Sequence, residues 1–361
     1  MRINDNNINF KEKKEIKIGN TYIGKNHNIK IQSMCNIKTS DVSNVIKQIN
    51  SLENIGCDII RVSILDETDA KAIQEIKKHI NIPIVADIHF DYKLAVAAIE
   101  NGADKIRINP GNIKDLDKVL LIINKAKEFN IPIRIGVNSG SIDKDILKKY
   151  HNIPSVQAMI ESMDKYVKFF EENNFYNIVL SIKTTSYFDT IEVNKKLNEL
   201  YDYPIHIGLT ESGTEFSGVI KSSYVLGNIL NLGIGDTIRV SLNGKLEKEI
   251  ETAKEILAMQ GLYHKINLIA CPTCGRCQYD STTIVHELED WINRNHFNKK
   301  LTVAVMGCAV NGPGEAFRAD IGIAGGNHEV VLFKHGKIIK KIKEENVLEE
   351  LKKEILLMLN S

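Results

Sequence analysis

The chain has 361 residues, of which 43% are hydrophobic and 26% are charged, and this composition excludes a wholly disordered protein. Its 47 Lys and Arg nearly balance its 46 Asp and Glu, and the net charge of +1 argues against a dedicated nucleic-acid-binding or membrane-surface protein. No apolar run approaches the roughly 18 residues that span a bilayer, and the polar N-terminus lacks the apolar core of a signal peptide. We therefore expect a cytoplasmic protein of two domains.

The first 245 residues alternate short β-branched runs with helical patterns. The runs are continuously apolar and rich in Ile and Val, which is typical of strands covered on both faces. Eight such units predict an α/β fold of the (β/α)8 TIM-barrel type, and an open doubly wound sheet is the alternative. The eight predicted strands are Ile29–Met34, Asp58–Ile64, Ile82–Ile88, Lys105–Asn109, Ile131–Asn138, Asn177–Lys183, Pro204–Thr210 and Thr237–Leu242.

The pattern changes after Leu242, and the remainder predicts a smaller α+β domain. We place the barrel domain at residues 1–260 and the second domain at 261–361. The predicted elements are a helix at about 246–260, a strand ending at Ala270, a helix near 282–295, a strand at 301–306, a Gly-rich loop, a hairpin of 330–333 with 338–342, and an amphipathic helix at about 345–359.

Cations stand at five of the eight predicted strand ends, where the chemistry of such barrels is located. A buried cation is costly unless it is paired, and the acidic residues at these ends, Asp87 and Glu211, are too few to neutralise all five. Because arginine matches phosphate oxygens bidentately, we expect the missing counter-charge to be a phosphate ester, in the simplest case a diphosphate. Pairing of single arginines with carboxylates outside the barrel is the alternative. The five cations are Arg61, Arg107, Arg134, Lys183 and Arg239.

Asp87 and His89 lie two residues apart at one strand end, so both side chains are expected on the same face. They are candidates for orienting hydroxyl groups or moving protons, and Glu211 is a candidate for the same roles. A lone histidine is more often structural, although the Asp-x-His pair is less easily explained in that way. Further polar residues at the strand ends are Gln32, Ser33, Asn109, Asn138, Thr210 and Ser241.

Four of the six cysteines lie in the last quarter of the chain. Cys271, Cys274 and Cys277 share one tight turn, here called the cysteine turn, and Cys308 follows 31 residues later. Close thiolates suit zinc or an iron–sulfur cluster, and a zinc ribbon would use two paired knuckles, so a three-thiolate cluster fits better. Glu315 could supply an exchangeable fourth ligand, with Cys277 as its rival. A structural zinc or a redox dithiol remains the alternative.

The chain resembles the 4-hydroxy-3-methylbut-2-enyl diphosphate synthase family of the non-mevalonate isoprenoid pathway, and the resemblance extends over nearly its whole length. It departs from many relatives at Cys277, where they have no cysteine, and at Cys35, where they often have threonine. The motifs that carry the resemblance are QSMCNIKTSDV, RVSI, VADIHFDYKLA, KIRINPGNI, IPIRIGVNSGS, HIGLTESG, GIGDTIRVSL, ACPTCGRC and GCAVNGPGEA.

The resemblance implies a two-electron reductive ring opening of 2-C-methyl-D-erythritol 2,4-cyclodiphosphate with loss of water. It also implies a [4Fe–4S] cluster held by Cys271, Cys274, Cys308 and Glu315, with Asn311 beside it. Flavodoxin or ferredoxin would donate the electrons, and a head-to-tail homodimer would let the cluster domain of one subunit cap the barrel of the other. The implied substrate contacts and proton carriers are Arg61, Asp87, His89, Arg107, Asn109, Arg134, Asn138, Lys183, Thr210, Glu211, Arg239 and Ser241.

Two other functions compete with this interpretation. Radical-SAM enzymes use a Cys-x3-Cys-x2-Cys turn, whereas this chain has Cys-x2-Cys-x2-Cys, which disfavours that class. A phosphate-binding barrel that carries a structural zinc module would show no redox chemistry. Metal and sulfide analysis after anaerobic purification would separate it from an iron–sulfur enzyme.

Overall fold

The structure is a computed structural model, and it describes residues 1–109, 111–113, 115–295, 297, 299–308, 314, 316–326 and 329–360. The chain divides into two compact units, Met1–Tyr263 and His264–Ser361. Within the described ranges, no helix is both long and apolar enough to cross a lipid bilayer.

Eight parallel strands form the barrel of the first unit, in the order β8-β7-β6-β5-β4-β3-β10-β9. A parallel bridge between Leu180 of β8 and Ile205, directly before β9, closes the ring. The predicted (β/α)8 barrel is confirmed, and the open sheet is wrong. The strands of this unit are β1 (Ile16–Ile18), β2 (Thr21–Ile23), β3 (Lys30–Met34), β4 (Ile59–Ser63), β5 (Ile84–Ile88), β6 (Lys105–Ile108), β7 (Ile133–Asn138), β8 (Ile178–Lys183), β9 (His206–Gly208) and β10 (Thr237–Arg239).

Helices connect the barrel strands, and aspartates begin several of them. Asp66, Asp91 and Asp115 each accept a hydrogen bond from a backbone N–H of the first turn, which satisfies a donor that the helix itself leaves open. The helices of the first unit are α1 (Val42–Asn54), α2 (Glu67–Ile76), α3 (Tyr92–Glu100), α4 (Leu116–Glu128), α5 (Lys144–Lys149), α6 (Val156–Glu172), α7 (Tyr187–Leu200), α8 (Glu215–Asn231) and α9 (Leu246–Met259).

An antiparallel hairpin of β1 and β2 closes the lower end of the barrel. Ile16, Ile18 and Ile23 of the hairpin form one buried cluster with residues from the first halves of three barrel strands, Ile59, Val85 and Val179. The sequence analysis predicted no strand here, because two three-residue strands give too short a pattern. The hairpin leaves the opposite end of the barrel, where the strands finish, for the functional site.

The second unit is a five-stranded mixed sheet in the order β11-β12-β13-β14-β15, covered by two helices. Strands β11 to β13 are parallel, and β14 and β15 continue the sheet antiparallel. The predicted α+β class agrees with this sheet, but β13 lies in the region where only a loop was expected. The elements are β11 (Ile266–Ala270), α10 (Ser281–Asn295), β12 (Leu301–Met306), β13 (Ile321–Gly325), β14 (Glu329–Lys334), β15 (Lys337–Lys343) and α11 (Val347–Asn360).

Candidate active site

Successive side chains of the barrel strands face alternately the helices and the barrel interior. In β4, Ile60 and Val62 belong to the apolar core shared with the helices, whereas Ile59 packs against the hairpin. Arg61 follows Ile60 by one residue, so it faces the interior with Ile59. The same alternation places Asp87 above Val85 in β5. In these two strands the interior side chains are therefore apolar at the floor of the barrel, next to the hairpin, and charged at its mouth.

A cavity of about 130 Å³ lies at the ends of the barrel strands and is here called the barrel-mouth cavity. It brings together most of the residues that the sequence predicted as substrate contacts, from seven different strands or from within two residues after them. Gly136, Ser181 and Leu209 complete the lining without having been predicted. The predicted residues that line it are Arg61, Asp87, His89, Arg107, Arg134, Asn138, Lys183, Thr210, Arg239 and Ser241.

Asp87 is the buried carboxylate at the centre of this cavity, with only 2% of its surface exposed. Arg107 Nη1 donates to Asp87 Oδ1 at 3.1 Å, and His89 Nε2 lies 3.2 Å from Oδ2. Arg61 Nε is 3.8 Å from the same Oδ2, and its guanidinium also contacts the sulfur of Met34, with Nε 3.0 Å from Sδ. One carboxylate thus orients two arginines and a histidine.

The charge state of Asp87 follows from these neighbours. Burial alone would raise its pKa, but the positive charge of Arg61, the hydrogen bond with His89 and the charge of Arg107 together hold the pKa well below its usual range. Burial lowers the pKa of Arg61 to about 9, against the opposing effect of Asp87. Asp87 is therefore an anion throughout the physiological range.

Among the described residues, Arg134 and Lys183 have no carboxylate partner, and Arg239 Nε lies 3.9 Å from the carboxylate of Glu249. Arg134 is 2% exposed and its Nη1 donates to Gln32 Oε1 at 3.5 Å, but in the described ranges its Nε and the Nε of Arg239 are buried without a hydrogen-bond acceptor. Burial, and then the charges of Arg134, Arg239, Arg61 and Arg107, lower the pKa of Lys183 well below its usual value. The positive side chains repel one another at a buried site, where the effective dielectric constant is low, and an anionic ligand would relieve that repulsion.

A second polar layer lies in the same barrel, and the sequence analysis named Gln32 but neither Lys105 nor His206 as a polar residue of the site. Lys105 and His206 are fully buried, and within the part of the chain that the structure describes, Lys105 Nζ, His206 Nε2 and Gln32 Nε2 have no hydrogen-bond partner. Burial and the charges of Arg134 and Arg61 lower the pKa of Lys105 well below its usual value. The alternation of β6 could have revealed Lys105, because it stands two residues before Arg107.

Two glycines make room for the cations. A methyl group on Gly136 would lie 2.8 Å from Arg107 Nε, and one on Gly208 would lie 2.6 Å from Lys183 Nζ. Gly136 stands between Arg134 and Asn138 with the period of two that marks the interior face of β7. A side chain at either glycine would occupy the space that these cations fill.

Two described residues of the predicted site lie outside the cavity lining. Asn109 follows β6, is 3% exposed and has a buried Oδ1 that finds no hydrogen-bond partner among the described residues. Glu211 is exposed and has a left-handed backbone with φ of +53°, an unfavourable conformation for a residue with a side chain. Asn311 and Glu315 fall outside the described residues.

The cysteine turn follows β11 in the second unit. The backbone N–H of Cys271 donates to Val305 O of β12 at 2.9 Å, and the N–H of Cys277 donates to Cys274 O at 2.9 Å. Cys274 is exposed, whereas Cys271 and Cys277 are half-buried. The Sγ of Cys277 lies 3.3 Å from Tyr279 O and 3.4 Å from Ser281 Oγ, so neighbouring polar groups already engage this thiol.

Gly307, directly before Cys308, tests whether these residues could hold a metal cluster. A methyl group there would lie 3.3 Å from Cys277 Sγ and 3.6 Å from Cys271 Sγ, so the glycine leaves open space where two sulfurs converge. Within the described ranges, no three His, Cys, Asp or Glu side chains are grouped closely enough to hold a metal ion. The donor chemistry and the space beside Gly307 fit a thiolate-bound cluster, while the complete set of its ligands stays a prediction.

Family comparisons match both units. The model described as the GcpE TIM-barrel domain covers residues 13–254, and the model of the GcpE protein C-terminal domain covers residues 267–356. The chain belongs to the GcpE family. Its curated relatives match this GcpE chain over nearly its full length, so the relationship includes both the barrel-mouth cavity and the cysteine turn.

Several of these relatives carry the name 4-hydroxy-3-methylbut-2-en-1-yl diphosphate synthase (flavodoxin). The protein of Caldanaerobacter subterraneus subsp. tengcongensis is 54% identical over 95% of this chain and 96% of its own. That of Caldicellulosiruptor saccharolyticus is 53% identical over 95% and 98%, and that of Clostridium perfringens is 50% identical over 95% and 98%.

Solved structures resemble the barrel unit at low sequence identity. Dihydropteroate synthase from Stenotrophomonas maltophilia has a TM-score of 0.51 at 14% identity, covering 68% of this chain and 98% of that one. A truncated 3-deoxy-D-arabino-heptulosonate 7-phosphate synthase from Thermotoga maritima has a TM-score of 0.50 at 13% identity, covering 70% and 94%. This likeness supports the barrel fold of the GcpE chain and nothing about its chemistry.

Proposed function

We propose that this chain is an iron–sulfur oxidoreductase that converts 2-C-methyl-D-erythritol 2,4-cyclodiphosphate to 4-hydroxy-3-methylbut-2-enyl diphosphate, a precursor of isoprenoids. In this reaction two electrons and two protons enter, the C2–O bond of the cyclic diphosphate breaks, and one water leaves. The observation that carries the proposal is the excess of buried cations over carboxylates in the barrel-mouth cavity, in a chain about half identical to synthases of this name.

The barrel-mouth cavity supplies the binding site for the two phosphates. Arg134 and Arg239 each have an Nε without a hydrogen-bond acceptor among the described residues, and Lys183 is repelled by the neighbouring arginines, so these three bind the phosphate oxygens. Asp87 holds Arg61 and Arg107 in place beside them. The same cations stabilise the charge that develops on the phosphate oxygen as the C2–O bond breaks. Asn109, Asn138, Thr210 and Ser241 complete the proposed substrate contacts.

Proton movement falls to Glu211 and His89 rather than to Asp87. Sequence reasoning left all three as candidates, but Asp87 is anionic and engaged by its cationic neighbours, which suits an orienting role. His89 is half-exposed and lies against Asp87, and Glu211 is exposed after β9. Either can exchange protons with solvent and with a bound ligand.

The second unit holds the redox group in this proposal. Cys271, Cys274, Cys308 and Glu315 would bind a [4Fe–4S] cluster, which supplies electrons and a Lewis-acidic iron when bound, and Asn311 would lie beside it. Cys277 is not among these ligands, although its Sγ and that of Cys271 both lie beside Gly307. In this proposal Glu315 takes the exchangeable position, and Cys277 is its rival.

The proposal includes the partners of the enzyme. Flavodoxin is the electron donor that the names of the relatives give, and ferredoxin is the alternative. A head-to-tail homodimer would bring the cluster domain of one subunit over the barrel of the other. A cytoplasmic location suits a protein in which three of the six cysteines are proposed to hold a metal cluster rather than to form disulfides.

Anaerobic turnover tests the function directly. The protein is purified under argon, analysed for iron and sulfide, and incubated with the cyclodiphosphate and a chemical reductant. We expect 4-hydroxy-3-methylbut-2-enyl diphosphate as the product and about four irons per chain. Zinc without sulfide, or a cluster-loaded protein that neither binds nor converts the cyclodiphosphate, would refute the proposal.

A further inference from the structure

Glu249 is a second buried carboxylate at the barrel mouth, and it comes from helix α9 rather than from a strand. It is 3% exposed, and its Oε2 lies 3.9 Å from the Nε of Arg239. Burial lowers the pKa of Arg239, and the charge of Glu249 is the largest influence that opposes this shift. Glu249 is therefore the principal anionic neighbour of one cavity cation.

The same carboxylate also fixes the backbone beside Arg239. Glu249 Oε1 accepts a hydrogen bond from the N–H of Leu242 at 3.0 Å, and Oε2 accepts one from Ser33 Oγ of β3 at 3.0 Å. On the other side, Ser212 Oγ donates to Ser241 O at 2.6 Å. The chain directly after Arg239 is thus held at the Ser241–Leu242 peptide by side chains from two sides.

We propose that Glu249 is a positioning residue that sets the guanidinium of Arg239 for the phosphates of the substrate. Glu249 approaches Arg239 at Nε, so its charge orients the guanidinium plane and leaves the two terminal nitrogens to bind the ligand. The inference rests on the proposed function, since it assigns Arg239 to phosphate binding. It adds a group on α9 to a site whose other predicted members follow the barrel strands.

The charge of Glu249 can be separated from its hydrogen bonds. Glutamine has the same shape, its amide oxygen can accept from Leu242, and its amide N–H can donate to the hydroxyl of Ser33, which can act as acceptor. Glu249→Gln therefore removes the negative charge and retains the loop. A residue that only supported the loop would tolerate this change, whereas a residue that orients Arg239 by its charge would not.

The test measures steady-state kinetics and cluster content of the full-length holoenzyme. We expect Glu249→Gln to raise KM for the cyclodiphosphate about tenfold, with kcat within about twofold and iron content unchanged. Glu249→Asp keeps the charge, so the rise in KM should be smaller. Glu251→Gln is the matched control, because Glu251 is on the same helix, is 43% exposed by its side chain and pairs with Lys248.

A double-mutant cycle with Arg239→Gln completes the test. If Glu249 acts through Arg239, adding Glu249→Gln to Arg239→Gln should change KM by less than about twofold. The inference would be overturned if the effects of the two substitutions on KM multiplied in the double variant, or if Glu249→Gln alone left KM unchanged. If Glu249→Gln does not fold, Glu249→Asp takes its place in the cycle, and a KM that rises by the same factor with and without Arg239 would overturn the inference. Failure of the proposed function is distinct, because the wild type itself would then not turn over the cyclodiphosphate.

Discussion

The barrel-mouth cavity and the cysteine turn place their functional side chains by different means. In the cavity, regular strands present every second residue to one interior, so Arg61, Asp87 and Arg107 converge although they lie far apart in the chain. The cysteine turn instead gathers thiols from a short loop beside Gly307. A strand-borne site is determined by periodicity, whereas a loop-borne site depends on local backbone conformations that periodicity does not specify.

The largest expected effect concerns the loop-borne site. Cys308→Ala should abolish both the iron–sulfur cluster and turnover, because a cluster with three thiolate ligands cannot lose one without losing its hold on iron. Iron and sulfide content, together with the visible absorption spectrum after anaerobic purification, checks this outcome. Full cluster content in the variant would show that the proposed ligand set is wrong.

Cys277→Ser is the matched control for that prediction. The hydroxyl can retain hydrogen bonds to Tyr279 O and Ser281 Oγ, and Cys277 is not among the proposed ligands. Iron content and kcat should therefore stay close to those of the wild type. Loss of iron in this variant would show that Cys277 is a cluster ligand and would contradict Glu315 as the fourth ligand.

A large effect on binding alone is expected in the strand-borne site. Arg134→Met should raise KM for the cyclodiphosphate about 100-fold, because it removes a guanidinium whose Nε has no acceptor before the substrate arrives. Iron content should not change. Without substrate, the melting temperature should equal or exceed that of the wild type, because an unpaired buried cation has been removed. An unchanged KM would contradict a phosphate-binding role.

A smaller effect is expected where a side chain intrudes on a cation. Gly136→Ala places a methyl group 2.8 Å from Arg107 Nε, so Arg107 must move relative to Asp87, and KM should rise about tenfold. Gly227→Ala on α8 is the control, because its methyl group would meet only Gln260 Nε2 at 3.5 Å. That control should keep its KM and gain slightly in stability, since alanine favours a helix. Equal KM values for both variants would show that Gly136 does not protect the position of Arg107.

The sequence predicted the barrel and most of its cavity for a physical reason. An Arg, Asp or Lys that interrupts an apolar strand is visible in one dimension, and Arg61, Asp87 and Lys183 were found in this way. Gly136 makes room by having no side chain, and Glu249 reaches the mouth from a helix, so neither has a comparable signal. The hairpin that forms the floor was missed because its strands have three residues each.

The smallest expected effect is a proton taken up on substrate binding. Burial and four arginines hold the pKa of Lys183 well below its usual value in the free protein, and a bound diphosphate would raise it again. Between these two pKa values, binding adds a proton to Lys183, so affinity should fall as pH rises, by at most tenfold per pH unit. Calorimetry in buffers of different ionisation enthalpy measures this proton directly.

Lys183→Gln separates this proton from the rest of the site. The buried Lys105 and His206 also have lowered pKa values, and both remain in the variant. If Lys183 takes up the proton, the variant should bind more weakly and its binding enthalpy should no longer depend on the buffer. If the variant kept the buffer dependence of the wild type, the proton would be taken up by the second polar layer instead of by Lys183. The bound anion would then raise the pKa of groups deep in the barrel interior, and not only of groups at its mouth.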